Sequence, residues 1–159
     1  MSGELLERDD QLATLVGAAR RTIAGVGSVV VVSGEAGIGK SSLVRALADA
    51  RPQTTRWLIG WCDDLATARV LGPLRDLVAH VGGDLSAALA SGDRGQVGDA
   101  LLRELTDGGP TVLVVEDVHW ADEATLDVLS FVVRRLEELP VTLLLTHRDD
   151  ELGPAHAPP

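Results

Sequence analysis

The eight residues Gly34-Glu35-Ala36-Gly37-Ile38-Gly39-Lys40-Ser41 restrict what this chain can fold into more than any other stretch. They follow Ser28-Val29-Val30-Val31-Val32-Ser33, a run of β-branched residues with no polar alternation. Such a run reads as a strand covered on both faces, as in a parallel sheet. They lead into Ser42 to Ala50, which reads as a helix that stops before Pro52. A buried strand, a glycine-rich turn and a helix in direct succession give the spacing G-x-x-x-x-G-K-[ST] its physical meaning. The glycines let the backbone curl into a nest of N–H groups, and the helix N-terminus adds a dipole that favours an anion. Lys40 is then placed to reach the β- and γ-phosphates of a nucleotide, and the Ser41 hydroxyl to ligate Mg²⁺. The candidate phosphate-binding set runs from Gly34 through Ser41 to Ser42 at the start of the helix.

A glycine-rich turn can match this spacing by accident. From the composition, about one match in a thousand such chains is expected. Cation usage points the same way. Of the 14 basic side chains, 13 are Arg, and the single Lys stands at position 40. A compact ammonium suits a phosphate loop better than a planar guanidinium fork.

At 159 residues, 45% of them hydrophobic, the chain suits one α/β domain and leaves no room for two. Aromatics make up only 3%, so the core must be built from Val, Leu, Ile and Ala. A net charge of −10 offers no electrostatic footprint for nucleic acid, and an anionic membrane surface should repel it. One cysteine, Cys62, rules out an internal disulfide and reads as a small apolar residue at a strand end. The N-terminus lacks a basic region followed by an apolar stretch, and no apolar run approaches the ~18 residues of a membrane span. The expectation is a cytoplasmic protein.

Helical spacing of Leu12, Leu15, Val16, Ala19 and Ile23 predicts an amphipathic helix over 9–24, stopped by Gly25-Val26-Gly27. Further strands are predicted at Arg56–Trp61, Thr111–Val115 and Val141–Leu145. Helices are predicted at 73–81 and 97–105, and another is marked by Leu126, Leu129, Val133, Leu136 and Leu139, with Asp122 as its N-cap. Residues 82–98 carry five glycines and read as a flexible surface loop. Residues 153–159 contain three prolines and are expected to be disordered. Strands alternating with helices imply a parallel sheet with helices on both faces.

Ligands of open α/β sheets bind beyond the C-terminal ends of the strands. Glu116-Asp117 falls where the third predicted strand emerges there. Glu116 aligns with the usual metal-binding carboxylate and Asp117 with the usual catalytic one, and the pair can hold Mg²⁺ and polarise a water. The bland reading is two solvated turn acids. His119 either contacts the γ-phosphate or packs as a loop histidine beside Trp120. Thr146-His147-Arg148 ends the fourth strand at the same edge. Thr146 or Arg148 there can sense the γ-phosphate or stabilise charge in the transition state, or else Arg148 pairs with Asp149 or Asp150.

With these motifs assembled, the chain resembles the AAA-type ATPase domain of large ATP-binding LuxR-family transcriptional regulators, a group within the STAND NTPases that is also described as origin-recognition-complex-like. The resemblance runs from Leu5 to about Leu152. Its most specific segments are Val32 to Ser41, Cys62-Asp63-Asp64-Leu65 with Leu71-Gly72-Pro73-Leu74, Val114 to Asp122 and Leu145 to Asp150. It implies a three-layer α/β/α P-loop NTPase fold whose mostly parallel sheet has the order 5-1-4-3-2, here truncated after the fourth strand. The expected domain is therefore 1–152, lacking the fifth strand and the lid. It also implies ATP and Mg²⁺ as ligands, hydrolysis as a slow timer in a regulatory switch, and an adenine pocket near Arg8. Without a fifth strand, Val29 to Val32 would lie at a sheet edge open to self-association or a partner protein.

Two rival expectations remain. One is a self-sufficient ATPase or small-molecule kinase, although 82–98 supplies only Arg94 toward an arginine-rich lid. The other is a non-catalytic remnant or interaction module.

Overall fold

The computed structural model describes residues 2–34, 39–64 and 69–149, with side chains from residue 9 onward. The expected tail at 153–159 lies outside the described residues.

Four strands form one sheet: β1 (Ser28–Gly34), β2 (Arg56–Trp61), β3 (Thr111–Glu116) and β4 (Val141–Arg148). Their order is β1-β4-β3-β2, and every neighbouring pair is parallel. That matches the 1-4-3-2 portion of the expected order. The helices are α1 (Ser2–Ile23), α2 (Lys40–Ala50), α3 (Gly72–Leu77), α4 (Gly83–Ser91), α5 (Arg94–Asp107) and α6 (Glu123–Val133).

The apolar strands divide their side chains between two cores, as the period of two demands. Val112, Val114 and Leu144 face Leu15 and Ala19 of α1 and Leu43, Val44 and Leu47 of α2. Leu58, Leu113, Val115 and Leu143 face the opposite layer of α3 to α6. All six residues of β3 are buried, as a strand at the centre of a three-layer sandwich should be.

Three expectations need correction. β1 is not covered on both faces: its residues alternate between half-buried and exposed, with Val29 38% and Val31 56% exposed. Val30 and Val32 pack toward α1 and α2, whereas Val29 and Val31 on the opposite face of this edge strand are exposed. Residues 82–98 are not a loop but α4 and the start of α5. Gly82 and Gly92 flank α4 and Gly98 is buried within α5, while Leu85, Ala88 and Leu89 supply a buried stripe at helical spacing. The stripe of α6 is also out of phase with the expected one. Val128, Leu129 and Val132 are its buried face, Leu126 is 45% exposed, and the helix ends at Val133.

Close approach of backbones fixes the end of β2. A Cβ on Gly60 would lie 2.2 Å from the Pro73 carbonyl oxygen, so only glycine lets β2 meet the start of α3.

Candidate functional site

Register brings the predicted residues to one edge. Gly34 lies opposite Arg148 and Val32 opposite Thr146, while Glu116 lies opposite Trp61. The C-terminal ends of all four strands thus present Gly34, the Thr146–Arg148 segment, Glu116 and Trp61 side by side.

At the β1 end, Gly39 adopts φ 91°, a left-handed conformation natural to glycine, and stands as the N-cap of α2. Lys40 Nζ donates to the Gly34 carbonyl at 2.7 Å, linking the start of α2 to the end of β1. Ser41 and Ser42 are exposed in the first turn of α2. Glu35, Ala36, Gly37 and Ile38 lie outside the described residues, as does the side chain of Arg8 in α1.

Glu116 is only 9% exposed. Burial pushes its carboxyl above the usual range, and the charge of Asp117 adds to this. Hydrogen bonding from Trp61, the charge of Arg45 and a hydrogen bond with Ser41 act the other way. The Trp61 indole N–H donates to Glu116 Oε2 at 2.8 Å. Ser41 and Glu116 are therefore adjacent, as a shared cation requires.

Asp117 sits at φ 58°, ψ 47°, a left-handed turn uncommon for a non-glycine residue. Two hydrogen bonds hold it there. Its N–H donates to Thr146 Oγ1 at 2.9 Å, and its carbonyl accepts from the Trp120 N–H at 2.9 Å. Thr146 is buried and grips the turn that aims Asp117. The Arg148 N–H donates to His119 Nδ1 at 3.3 Å, and the Arg148 guanidinium carbon lies 5.2 Å from the Trp120 ring centroid. His119 also packs 4.6 Å from Trp120 and 5.5 Å, edge on, from His147. The β3 loop and the β4 end are thereby tied together.

The carboxylate of Asp122 caps α6 by accepting from the Thr125 N–H, as its sequence position predicts. It also accepts from the Leu71 N–H at 3.2 Å, a contact 51 residues away that no local pattern reveals. Cys62 is buried beyond the end of β2. Burial, reinforced by the charges of Asp122, Asp117, Asp63 and Asp76, pushes its thiol up to about 12, so it stays protonated and inert.

The donor set suits Mg²⁺: a Ser41 hydroxyl and the Glu116 and Asp117 carboxylates are hard oxygen ligands. Among the described residues no three His, Cys, Asp or Glu side chains converge into a closed cage. Magnesium does not need one, because it keeps waters and substrate phosphates in its shell.

A parallel sheet with a glycine-rich turn, a lysine and carboxylates at its C-terminal edge defines a P-loop nucleotide-binding domain. The AAA ATPase domain family matches residues 4–145, and this chain belongs to it. Membership implies nucleotide binding. A curated protein of Rhizobium meliloti (strain 1021), itself uncharacterised, is 31% identical over 193 aligned residues. The alignment covers 93% of this chain, and the chain spans only 19% of that relative's length. Among solved structures, the Drosophila ORC bound to AT-rich DNA and Cdc6 contains a similar chain, with TM-score 0.51 and 13% identity over 90% of this chain and 50% of that one. C. elegans PCH-2 gives TM-score 0.49 and 15% identity over 88% and 36%. No described helix is long and apolar enough to cross a membrane.

Proposed function

We propose that this domain binds ATP with Mg²⁺ as the nucleotide-dependent switch of a LuxR- or STAND-type transcriptional regulator, with slow or absent hydrolysis. The observation that carries the reading is the proximity of Ser41, at the start of α2, to the buried Glu116 at the end of β3, with the neighbouring Lys40 donating to Gly34 at the end of β1. Gly34 to Ser42 would cradle the phosphates, with Lys40 countering their charge, and Arg8 would border the adenine. Ser41, Glu116 and Asp117 would hold the cation. Bound Mg²⁺ would neutralise charge on the outer phosphates.

Asp117 and Arg148 are the candidate catalytic groups, and Glu116 joins them through the metal. Thr146 would act on the nucleotide through the Asp117 turn that it grips. The hydrogen bond between His119 and the Arg148 backbone supports the switch reading, since it gives the β3 loop and the β4 end a common response to what lies between them. The relative of which this chain spans a fifth supports a role serving a longer protein. In this reading the domain works in the cytoplasm, touches neither nucleic acid nor membrane, and leaves the β1 edge for self-association or a partner protein.

Titration calorimetry with ATP and Mg²⁺ tests the first claim. Wild type should bind and Lys40→Ala should lose that binding; equal affinity in both would refute it. Phosphate release tests the second. Turnover should stay below about 1 s⁻¹, under the ordinary enzyme range, and fall further in Glu116→Gln and Asp117→Asn.

A further inference from the structure

Trp61 is hard to explain as a packing residue. It ends β2 with 43% of its surface exposed and belongs to neither hydrophobic cluster. Its polar atom is nevertheless fully used, because the indole N–H donates to Glu116 Oε2 at 2.8 Å. The backbone is held as firmly. Its N–H donates to Asp76 Oδ2 at 3.0 Å, and Arg69 grips Asp76 while also pairing with Asp63. One residue earlier, the contact of Gly60 with Pro73 leaves β2 no freedom to shift.

We infer that Trp61 is a positioning residue for the cation-side carboxylate: its indole N–H fixes the rotation of Glu116 and leaves the remaining carboxylate lone pairs for the metal. The inference rests on the nucleotide–Mg²⁺ reading above. An indole is the right chemistry for this task, because it is a neutral donor with no acceptor. An arginine or lysine at position 61 would orient the same carboxylate but cancel the charge that a divalent cation needs. The register makes the contact possible, since Trp61 and Glu116 are direct neighbours across the β2–β3 ladder. A carboxylate whose orientation is fixed beforehand loses less freedom when the metal arrives, so the benefit appears in metal affinity and not in nucleotide affinity.

The test measures two affinities in the whole chain: ATP in EDTA, and Mg²⁺ added to the ATP-saturated protein. The variants are Trp61→Phe, which keeps an aromatic ring, and Trp61 replaced by 3-benzothienylalanine, which keeps the shape and exchanges N–H for sulfur. The second serves if the first fails to fold. Loss of one hydrogen bond to a charged group should weaken Mg²⁺ binding about tenfold, with metal-free ATP affinity changed less than about twofold. Lys40→Ala should instead lower ATP affinity with and without metal. Unchanged Mg²⁺ affinity in both Trp61 variants would overturn the positioning role while leaving the nucleotide site standing. A parallel fall in both affinities would also overturn it, by showing that the residue only packs. Absence of ATP binding in wild type would remove the underlying reading and this inference with it.

Discussion

β1 and β3 are similar in composition and live in different surroundings. Each carries an uninterrupted apolar stretch, Val29 to Val32 in one and Val112 to Val115 in the other, and each ends at the candidate site. β3 is buried along its whole length between β2 and β4 and between two helical layers. β1 has a neighbour on one side only, and every second residue is exposed. Strand composition therefore records the burial for which a segment is suited, whereas exposure records which neighbours are present. The carboxylates sit on the strand whose position is fixed from all sides. The candidate phosphate loop follows the strand that is fixed from fewer.

The sharpest way to break this comparison is to cut a hole in the strand that is fixed from all sides. Leu113→Ala in β3 removes a side chain with no exposure, next to Leu58 and Leu143. It should cost ~2–5 kcal/mol in urea unfolding, as large-to-small core substitutions do. A cost under 1 kcal/mol would mean that the core around β3 collapses freely and that its central position confers no rigidity. A smaller loss is expected just beyond the strand. Asp122→Ala removes the cap of α6 and the partner of the Leu71 N–H together. Leu71 itself sits at φ 58°, a left-handed conformation that needs such support. The expected loss is about 1–2 kcal/mol, with faster amide exchange at Leu71 as the specific sign.

Much of this arrangement can be read from residues alone. Continuous apolar runs such as Val29 to Val32, Val112 to Val115 and Leu143 to Leu145 mark strands, because no polar alternation of a surface helix interrupts them. The order of those strands came through resemblance, since nothing local in Val29–Val32 says which neighbour it takes. Reading fails where glycine is ambiguous. Gly82, Gly83, Gly92, Gly95 and Gly98 look like a loop when counted, yet they lie in or beside α4 and α5, and the Leu85–Ala88–Leu89 stripe separates the two cases. The candidate phosphate loop and carboxylate pair could be proposed from residues alone because their chemistry is local in sequence. The Trp61–Glu116 hydrogen bond spans 55 residues and depends on register, which no single segment encodes.

The comparison is sharpened by asking what the buried strand costs the protein at its end. Glu116 combines burial with a carboxyl pushed above its ordinary 4.5. A carboxyl with a raised folded pKa binds its proton more tightly in the folded state. Between 4.5 and the folded value the folded chain therefore holds more protons than the unfolded chain, and stability falls as pH rises through that window. Glu116→Gln should raise the thermal midpoint at pH 7 and flatten this part of the pH profile, while weakening Mg²⁺ binding. A lower midpoint at pH 7 would show that the hydrogen bonds from Trp61 and Ser41 outweigh the burial of the charge.

The smallest effect is expected at Val31, and it decides whether the open face of β1 stays open in solution. At 56% exposure, Val31→Thr keeps the β-branched shape and replaces one methyl by a hydroxyl that water can satisfy. Surface changes of this kind stay within about 0.5 kcal/mol, so the unfolding midpoint should hardly move at any protein concentration. If a second copy covered this face, the hydroxyl would be buried without a partner. The loss would then exceed 1 kcal/mol and grow with protein concentration, because association stabilises the folded state by mass action. Unfolding of wild type and Val31→Thr across a hundredfold range of concentration distinguishes the two. A net charge of −10 on each copy opposes self-association, and the concentration-independent result is the one expected.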